Sequence, residues 1–299
     1  MLGTRGITNY SDGMTFTYLQ AAITGLIQGI TELFPVSSLG HAVLVPAWIG
    51  GSWKSITTDA NSPYLMVTIA LHAASALALF LVFRKRWIAL FGGAIASLKG
   101  KPTVQSNLFW RLAFASIPVA IIGLVLDKKL RILFAKPVAA SAFLLINGLI
   151  LIVAEMQSRK ASVIGNPTDT NREIVEKLSY PAAVTVGLGQ SLALFAGISR
   201  FGASMSAGLF KKLSHPAASD FSFLLALPVI AGAALYKLPK LLGHEYSSLR
   251  GPILVGSLFS FIATYISVSF LVRWFKTRTL YPFAIYCLIV GVASLIRFA

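Results

Sequence analysis

The chain has 299 residues, of which 56% are hydrophobic and only 12% charged, where a soluble domain carries about 25% charged residues. That balance excludes an ordinary soluble fold and predicts an integral membrane protein. The net charge of +16 does not point to nucleic acid, because Lys and Arg fall in short clusters between apolar runs, as membrane-flanking anchors do, and not along one basic stripe.

In chain order, the first sixteen residues are polar and include Arg5 and Asp12. They lack the basic-then-apolar order of a cleaved signal, so the chain is expected to insert by its own spans. From Tyr18 to Trp48 the chain is apolar but broken by Glu32, Pro35, Ser37, Ser38, Gly40 and His41. Two short helices meeting at a bent, polar tip fit this pattern better than one span. Three runs then approach the length of about 20 helical residues that crosses a hydrocarbon core: Pro63 to Phe83, Leu108 to Leu126 and Pro137 to Glu155. A polar stretch, Gln157 to Lys177, follows. Leu178 to Phe210 is apolar again but broken at Gly197, Ser199, Arg200 and Gly202, and three further spans close the chain: Ser219 to Tyr236, Pro252 to Val272 and Leu280 to Phe298. The single cysteine, Cys287, lies in the last of these, which excludes an internal disulfide and a cysteine-based zinc site.

The two broken segments are copies of one another. Laid over each other without a gap they match at Gly25/Gly187, Leu26/Leu188, Gln28/Gln190, Ser37/Ser199 and Gly40/Gly202. Paired, interrupted apolar segments in the two halves of a membrane protein mark a site at a repeat interface near the bilayer midplane. Irregular backbone at that depth must be covered by protein or line a water-filled cavity, so two re-entrant hairpins are expected to face each other inside the bundle. The predicted fold is therefore an all-α polytopic membrane protein with six transmembrane helices and two re-entrant helical hairpins. Residues 17–156 form the first repeat, 157–177 a cytoplasmic linker and 178–299 the second repeat. Three spans separate the hairpins, so they enter from opposite sides, which makes the repeat inverted. Of the 26 Lys and Arg residues, fifteen fall in loops on one side and ten on the other, Arg200 being the remaining one. The richer side, with Arg84 to Arg111 and Arg273 to Arg278, is expected to be cytoplasmic.

The tips carry the polar chemistry. Gln28 and Glu32 are spaced i, i+4, on one helical face just before Pro35. An ionised carboxylate at the bilayer centre costs roughly 2.5 to 3.5 kcal/mol and calls for a partner, either a metal ion or an arginine. Serines in membrane helices are more often caps or packing residues than nucleophiles, but Ser37 and Ser38 stand beside His41, which can move a proton near neutral pH. On the opposite tip Arg200 stays charged and must find an anion, with Glu32 one candidate and a phosphate the other. His72 and His215 lack a nearby carboxylate in sequence, so structural roles are expected for both.

At these residues a family resemblance emerges. Gln28-x-x-x-Glu32, the run Pro35-Val36-Ser37-Ser38-Leu39-Gly40-His41, and Gly197-Ile198-Ser199-Arg200 resemble the undecaprenyl pyrophosphate phosphatases of bacteria, the UppP/BacA family. The likeness continues through Phe221 to Pro228 and Pro282 to Tyr286 and so spans most of the chain. It implies six spans with two inverted hairpins in the bacterial inner membrane. It also implies hydrolysis of a polyprenyl diphosphate lipid to the monophosphate and phosphate, carrier-lipid recycling for the cell wall, and bacitracin resistance. By position, Ser38 matches the nucleophile, His41 the general acid/base and Arg200 the phosphate clamp. Glu32 and Gln28 would contact a divalent cation, Mg2+ or Ca2+, while Ser37, Ser199 and Ser204 would add hydroxyls for the substrate. Ala196, Phe201, Ser204 and Cys287 depart from the family's usual proline, serine, threonine and arginine.

The residues alone also suit that chemistry, since cleaving a diphosphate chiefly needs positioning and neutralisation of phosphoryl charge. The competing class is a transporter or flippase that moves a lipid phosphate without cleaving it, built on the same kind of broken-helix repeat. The pocket is expected to be reached from the extracytoplasmic side. No nucleic-acid partner is expected, and a homodimer is one arrangement open to the chain.

Overall fold

A computed structural model describes residues 16–58, 64–134, 136–160 and 169–299. Arg5 and Asp12, and most of the Gly165 to Asp169 part of the expected linker, lie outside the described residues. The described chain is helical, without strands, in twelve α-helices: α1 (Tyr18–Thr31), α2 (Ser38–Ile49), α3 (Gly51–Thr58), α4 (Tyr64–Leu98), α5 (Val104–Phe134), α6 (Pro137–Lys160), α7 (Thr170–Lys177), α8 (Tyr180–Ser191), α9 (Arg200–Phe210), α10 (His215–Lys237), α11 (Arg250–Trp274) and α12 (Tyr281–Phe298). Six of them, α4, α5, α6, α10, α11 and α12, are long and apolar enough to cross a membrane. Each covers one of the six predicted spans, α12 starting one residue later than expected and Pro63, before α4, lying outside the described residues. The main excess over prediction is at α4, which runs on past Arg84, Lys85 and Arg86 to Leu98. Charged residues end a membrane span but do not end a helix, since Arg and Lys have good helix propensity.

The two copied segments each form a pair of short helices joined by an irregular loop, α1 with α2 and α8 with α9. Helix α1 starts at a capping box, in which the Thr17 hydroxyl accepts from Gln20 N and the Gln20 side chain accepts from Thr17 N. Short helices of 14 and 12 residues hold their places through glycine. In α1, a Cβ on Gly25 would lie 2.1 Å from the carbonyl oxygen of Gly256 on α11; in α8, one on Gly187 would lie 1.9 Å from that of Ala115 on α5. Only glycine permits this approach, and small residues at such contacts are how helices associate where lipid removes the hydrophobic drive.

The largest core runs through most of the bundle, with Leu79, Phe83, Leu108, Leu112, Phe201 and Phe223 of α4, α5, α9 and α10 joined by Leu144 of α6 and Val268 of α11. Outward-facing residues such as Leu77, Ile121, Leu254 and Ile289 are apolar and exposed, as a lipid-facing surface requires. At one end of the bundle, α7 is tied down by polar contacts. Glu173 accepts from the Ser214 N–H and hydroxyl and from Lys177 Nζ. Burial pushes its carboxyl up, but these donors outweigh it and hold Glu173 below the ordinary carboxylate range. Arg86 pairs with Asp220 at 2.8 Å, and Arg111 donates to the carbonyls of Leu178, Asn107 and Val175.

Candidate active site

The loops that end α1 and α8 meet. Ser37 is held at φ 70°, a left-handed conformation that costs a non-glycine residue about 1–3 kcal/mol. Its hydroxyl oxygen accepts from Gly40 N at 3.2 Å, capping α2, and from Gly197 N at 3.1 Å on the other loop. Ser199 caps α9 in the same way, accepting from Gly202 N at 3.0 Å, and its hydroxyl donates to the Phe34 carbonyl at 3.2 Å. Gly197, at φ 115°, fits where a Cβ would come within 2.4 Å of the Ala140 carbonyl. Asn147, on α6, stitches both loops: Nδ2 donates to the Pro35 carbonyl at 2.9 Å, and Oδ1 accepts from Ser199 N at 3.0 Å.

This junction leaves Glu32, Ser38 and their neighbours in place. Glu32 is 4% exposed, and its Oε2 accepts from Ser38 Oγ at 2.5 Å, from Gln28 Nε2 at 2.7 Å and from His72 Nε2 at 3.2 Å. The i, i+4 reading of Gln28 and Glu32 therefore corresponds to a direct hydrogen bond. His41 is not placed on Ser38. Its Nδ1 faces the Ser37 carbonyl at 2.7 Å, and its Nε2 meets the Tyr286 hydroxyl at 2.7 Å. A carbonyl only accepts, so Nδ1 carries the hydrogen and Nε2 is free to accept from Tyr286.

Arg200 Nη1 is buried and has no hydrogen-bond partner, and the ion-pair partner of Glu32 is His72. Of the two anions expected for Arg200, the protein supplies no carboxylate within ion-pair distance among the described residues. Ser204 Oγ is turned back on its own helix, donating to the Arg200 and Phe201 carbonyls. A cavity lined by Gln28, Ser38, His41, Thr68, Trp53 and Tyr64 runs from the loop junction toward the start of α4.

Four residues gain partners in the fold that the sequence does not show. His72 was expected to be structural for want of a nearby carboxylate, yet the fold delivers Glu32 to it; likewise His215 Nε2 lies 2.8 Å from Glu155. Asn147 and Tyr286 sit inside apolar spans, where the cost of burying an amide or a hydroxyl is a signal, and Tyr286 also closes the Pro282 to Tyr286 stretch of the family resemblance.

Residues 21–293 match the family model described as Bacitracin resistance protein BacA. The chain belongs to the BacA family. It is 42% identical to undecaprenyl-diphosphatase 2 of Frankia alni over 95% of this chain and 98% of that protein. It shows the same identity and coverage against an undecaprenyl-diphosphatase of Mycolicibacterium paratuberculosis. With undecaprenyl-diphosphatase 2 of Chromobacterium violaceum the identity is 38%, over 93% and 98% of the two chains. Family membership and six apolar helices make this BacA-family chain a multi-pass membrane protein.

Proposed function

We propose that this protein hydrolyses an undecaprenyl-type polyprenyl diphosphate to the monophosphate and inorganic phosphate, with Ser38 as nucleophile. The observation that carries this is Ser38 Oγ donating to Glu32 Oε2 beside Arg200, whose Nη1 is buried without a hydrogen-bond partner. An unmade bond from a buried charged group costs more than the 1–3 kcal/mol of a neutral one, and a phosphate oxygen would make it. The names of the relatives favour hydrolysis over lipid transport alone.

In the proposed reaction Ser38 Oγ attacks the terminal phosphorus as its proton passes to Glu32, which replaces His41 as the expected base. The bond from phosphorus to the bridging oxygen breaks, and the lipid monophosphate leaves as an anion. Glu32 passes that proton to the departing monophosphate oxygen, and water, losing a proton to the freed carboxylate, then cleaves the phosphoserine as this second proton returns to Ser38 Oγ. Arg200 neutralises the non-bridging oxygens throughout, where preorganised charge is most effective. His41 and Tyr286 form a hydrogen-bonded wall that orients the phosphate. Ser37 and Ser199, expected at the substrate, act as caps that fix the loops, and Ser204 secures the first turn of α9.

Gln28 and Glu32 would reach a divalent cation only through the oxygens that their mutual hydrogen bond leaves over, Gln28 Oε1 and Glu32 Oε1. Gln28 and Glu32, the expected ligands, bond to one another, Glu32 Oε2 already accepts three bonds, and no group of three His, Cys, Asp or Glu among the described residues could hold a metal. A cation used in the reaction would come with the diphosphate, whose oxygens are its preferred ligands.

The proposal extends to topology. The two helix pairs are read as re-entrant hairpins of an inverted repeat, supported by the matched glycine contacts of Gly25 and Gly187 and the matched caps of Ser37 and Ser199. The cavity reaches Trp53 and Tyr64, on the side where the first hairpin enters, and the basic-residue imbalance makes that side extracytoplasmic in a bacterial inner membrane. The test is phosphate release from a polyprenyl diphosphate by purified protein in detergent. Release by the wild type and its loss in Ser38→Ala support the reading; an inactive wild type, with Mg2+ or Ca2+ supplied, contradicts it.

A further inference from the structure

Glu32 follows the last turn of α1, on a loop, and something must keep its carboxylate aimed at Ser38. Gln28 restrains it from the same helix. The remaining restraint comes from α4. His72 Nδ1 lies 2.7 Å from the Thr68 carbonyl, one turn earlier on that helix, so the ring is locked, and Nε2 is left 3.2 Å from Glu32 Oε2. Both site histidines thus spend Nδ1 on the carbonyl four residues before them, and they differ in what Nε2 meets. His41 meets a hydroxyl, which can give or take a hydrogen; His72 meets a carboxylate, which takes one. The arrangement is that of a nucleophile, its base and a third group orienting the base, with histidine in the orienting place.

We propose that His72 is a positioning residue of the reaction, holding the Glu32 carboxylate where it accepts the Ser38 proton. This rests on the hydrolytic reading above and adds a role for α4, which that reading does not need. The substrate contact falls to Ser38, Arg200 and the His41–Tyr286 wall, so His72 acts on the rate of chemistry and not on binding.

The test is steady-state kinetics of purified His72→Leu and His72→Gln with a polyprenyl diphosphate. Leucine removes the donor, and kcat should fall about 100-fold with KM within about twofold, the pattern of an interaction realised in the transition state. Glutamine offers an amide N–H in nearly the same direction, and kcat should return to within about tenfold of wild type. If the leucine variant does not extract as a monodisperse species, His72→Asn replaces it, since its shorter amide stops short of Glu32 and should show the same loss. In a Glu32→Ala background, with release of labelled phosphate as readout, His72→Leu should cost nothing further because the two residues act as a unit. A merely structural histidine would instead lower the rate by a similar factor in both backgrounds. A wild-type kcat in His72→Leu or His72→Asn, or no difference between leucine and glutamine, overturns the proposal. An inactive wild type overturns the hydrolytic reading itself, so the two failures are distinguishable.

Discussion

The two loop junctions began as the same sequence pattern and now do different work. In both, a serine caps the following helix, Ser37 for α2 and Ser199 for α9, and a glycine lets the preceding helix touch a transmembrane backbone, Gly25 on α11 and Gly187 on α5. The chemistry is not shared. In the gapless alignment the positions of Glu32, Ser38 and His41 are taken by Leu194, Arg200 and Ala203. Gln28 has a carboxylate to bond, whereas both polar side-chain atoms of Gln190 are buried without a partner. After Arg200 the second junction is filled by Phe201, stacked on Phe223 with ring centroids 4.4 Å apart and packed near Phe275. The halves share the backbone geometry of the caps and glycine contacts, whereas the proposed reaction needs only one polar pocket and one opposing cation.

The largest expected effect comes from removing that opposing cation. Arg200→Ala should lower kcat/KM by about 10²- to 10³-fold, the usual cost of losing one preorganised charge contact. Arg200→Lys should not restore it, because a point charge lacks the planar fork. Rescue by lysine would show that Arg200 supplies charge alone. Next in size are the shared glycines. Gly25→Val and Gly187→Val each drive a side chain into a carbonyl, and both should lose about 3 kcal/mol or more of stability or fail to extract, judged against the 1–3 kcal/mol typical of overpacking. Thermal unfolding in detergent measures this, and tolerance at one position alone would break the claimed equivalence.

Smaller effects test the polar differences. Tyr286→Phe leaves His41 Nε2 without its hydroxyl partner, and a loss of about tenfold in kcat is expected from one neutral hydrogen bond of roughly 1.4 kcal/mol. No change would remove the His41–Tyr286 wall from the mechanism. Gln190→Met replaces an amide without partners by an apolar chain of similar size. Stability should rise by about 1 kcal/mol with activity unchanged, since an unsatisfied buried amide costs about 1–3 kcal/mol. A loss of activity would mean that Gln190 has a role like that of Gln28 after all.

The comparison also explains what the amino-acid sequence made legible. Six spans could be read because an apolar run of about 20 residues has few other uses. The two broken segments stood out because Glu32, Pro35 and Arg200 are too costly at such depth to be incidental. What escaped was the set of contacts that the long spans make with the two tips. His72 gains its carboxylate only when α1 and α4 are brought together, and the His41 ring is turned from Ser38 by Tyr286, a residue of α12. Asn147 lies within an apolar span, and its role shows only where two loops converge on it. The proposed exchange of roles between Glu32 and His41 rests on these contacts, whereas spacing along the chain favours the imidazole three residues from Ser38.

The central claim is that Ser38 is phosphorylated and Glu32 takes its proton. Rapid quench of purified wild-type protein with a polyprenyl diphosphate labelled in its terminal phosphate, followed by peptide mapping, tests it most directly. The account predicts label on the peptide carrying Ser38, formed at a rate no slower than turnover, and none in Ser38→Ala. Turnover by Ser38→Ala at the wild-type rate, or label confined to another residue, would contradict it.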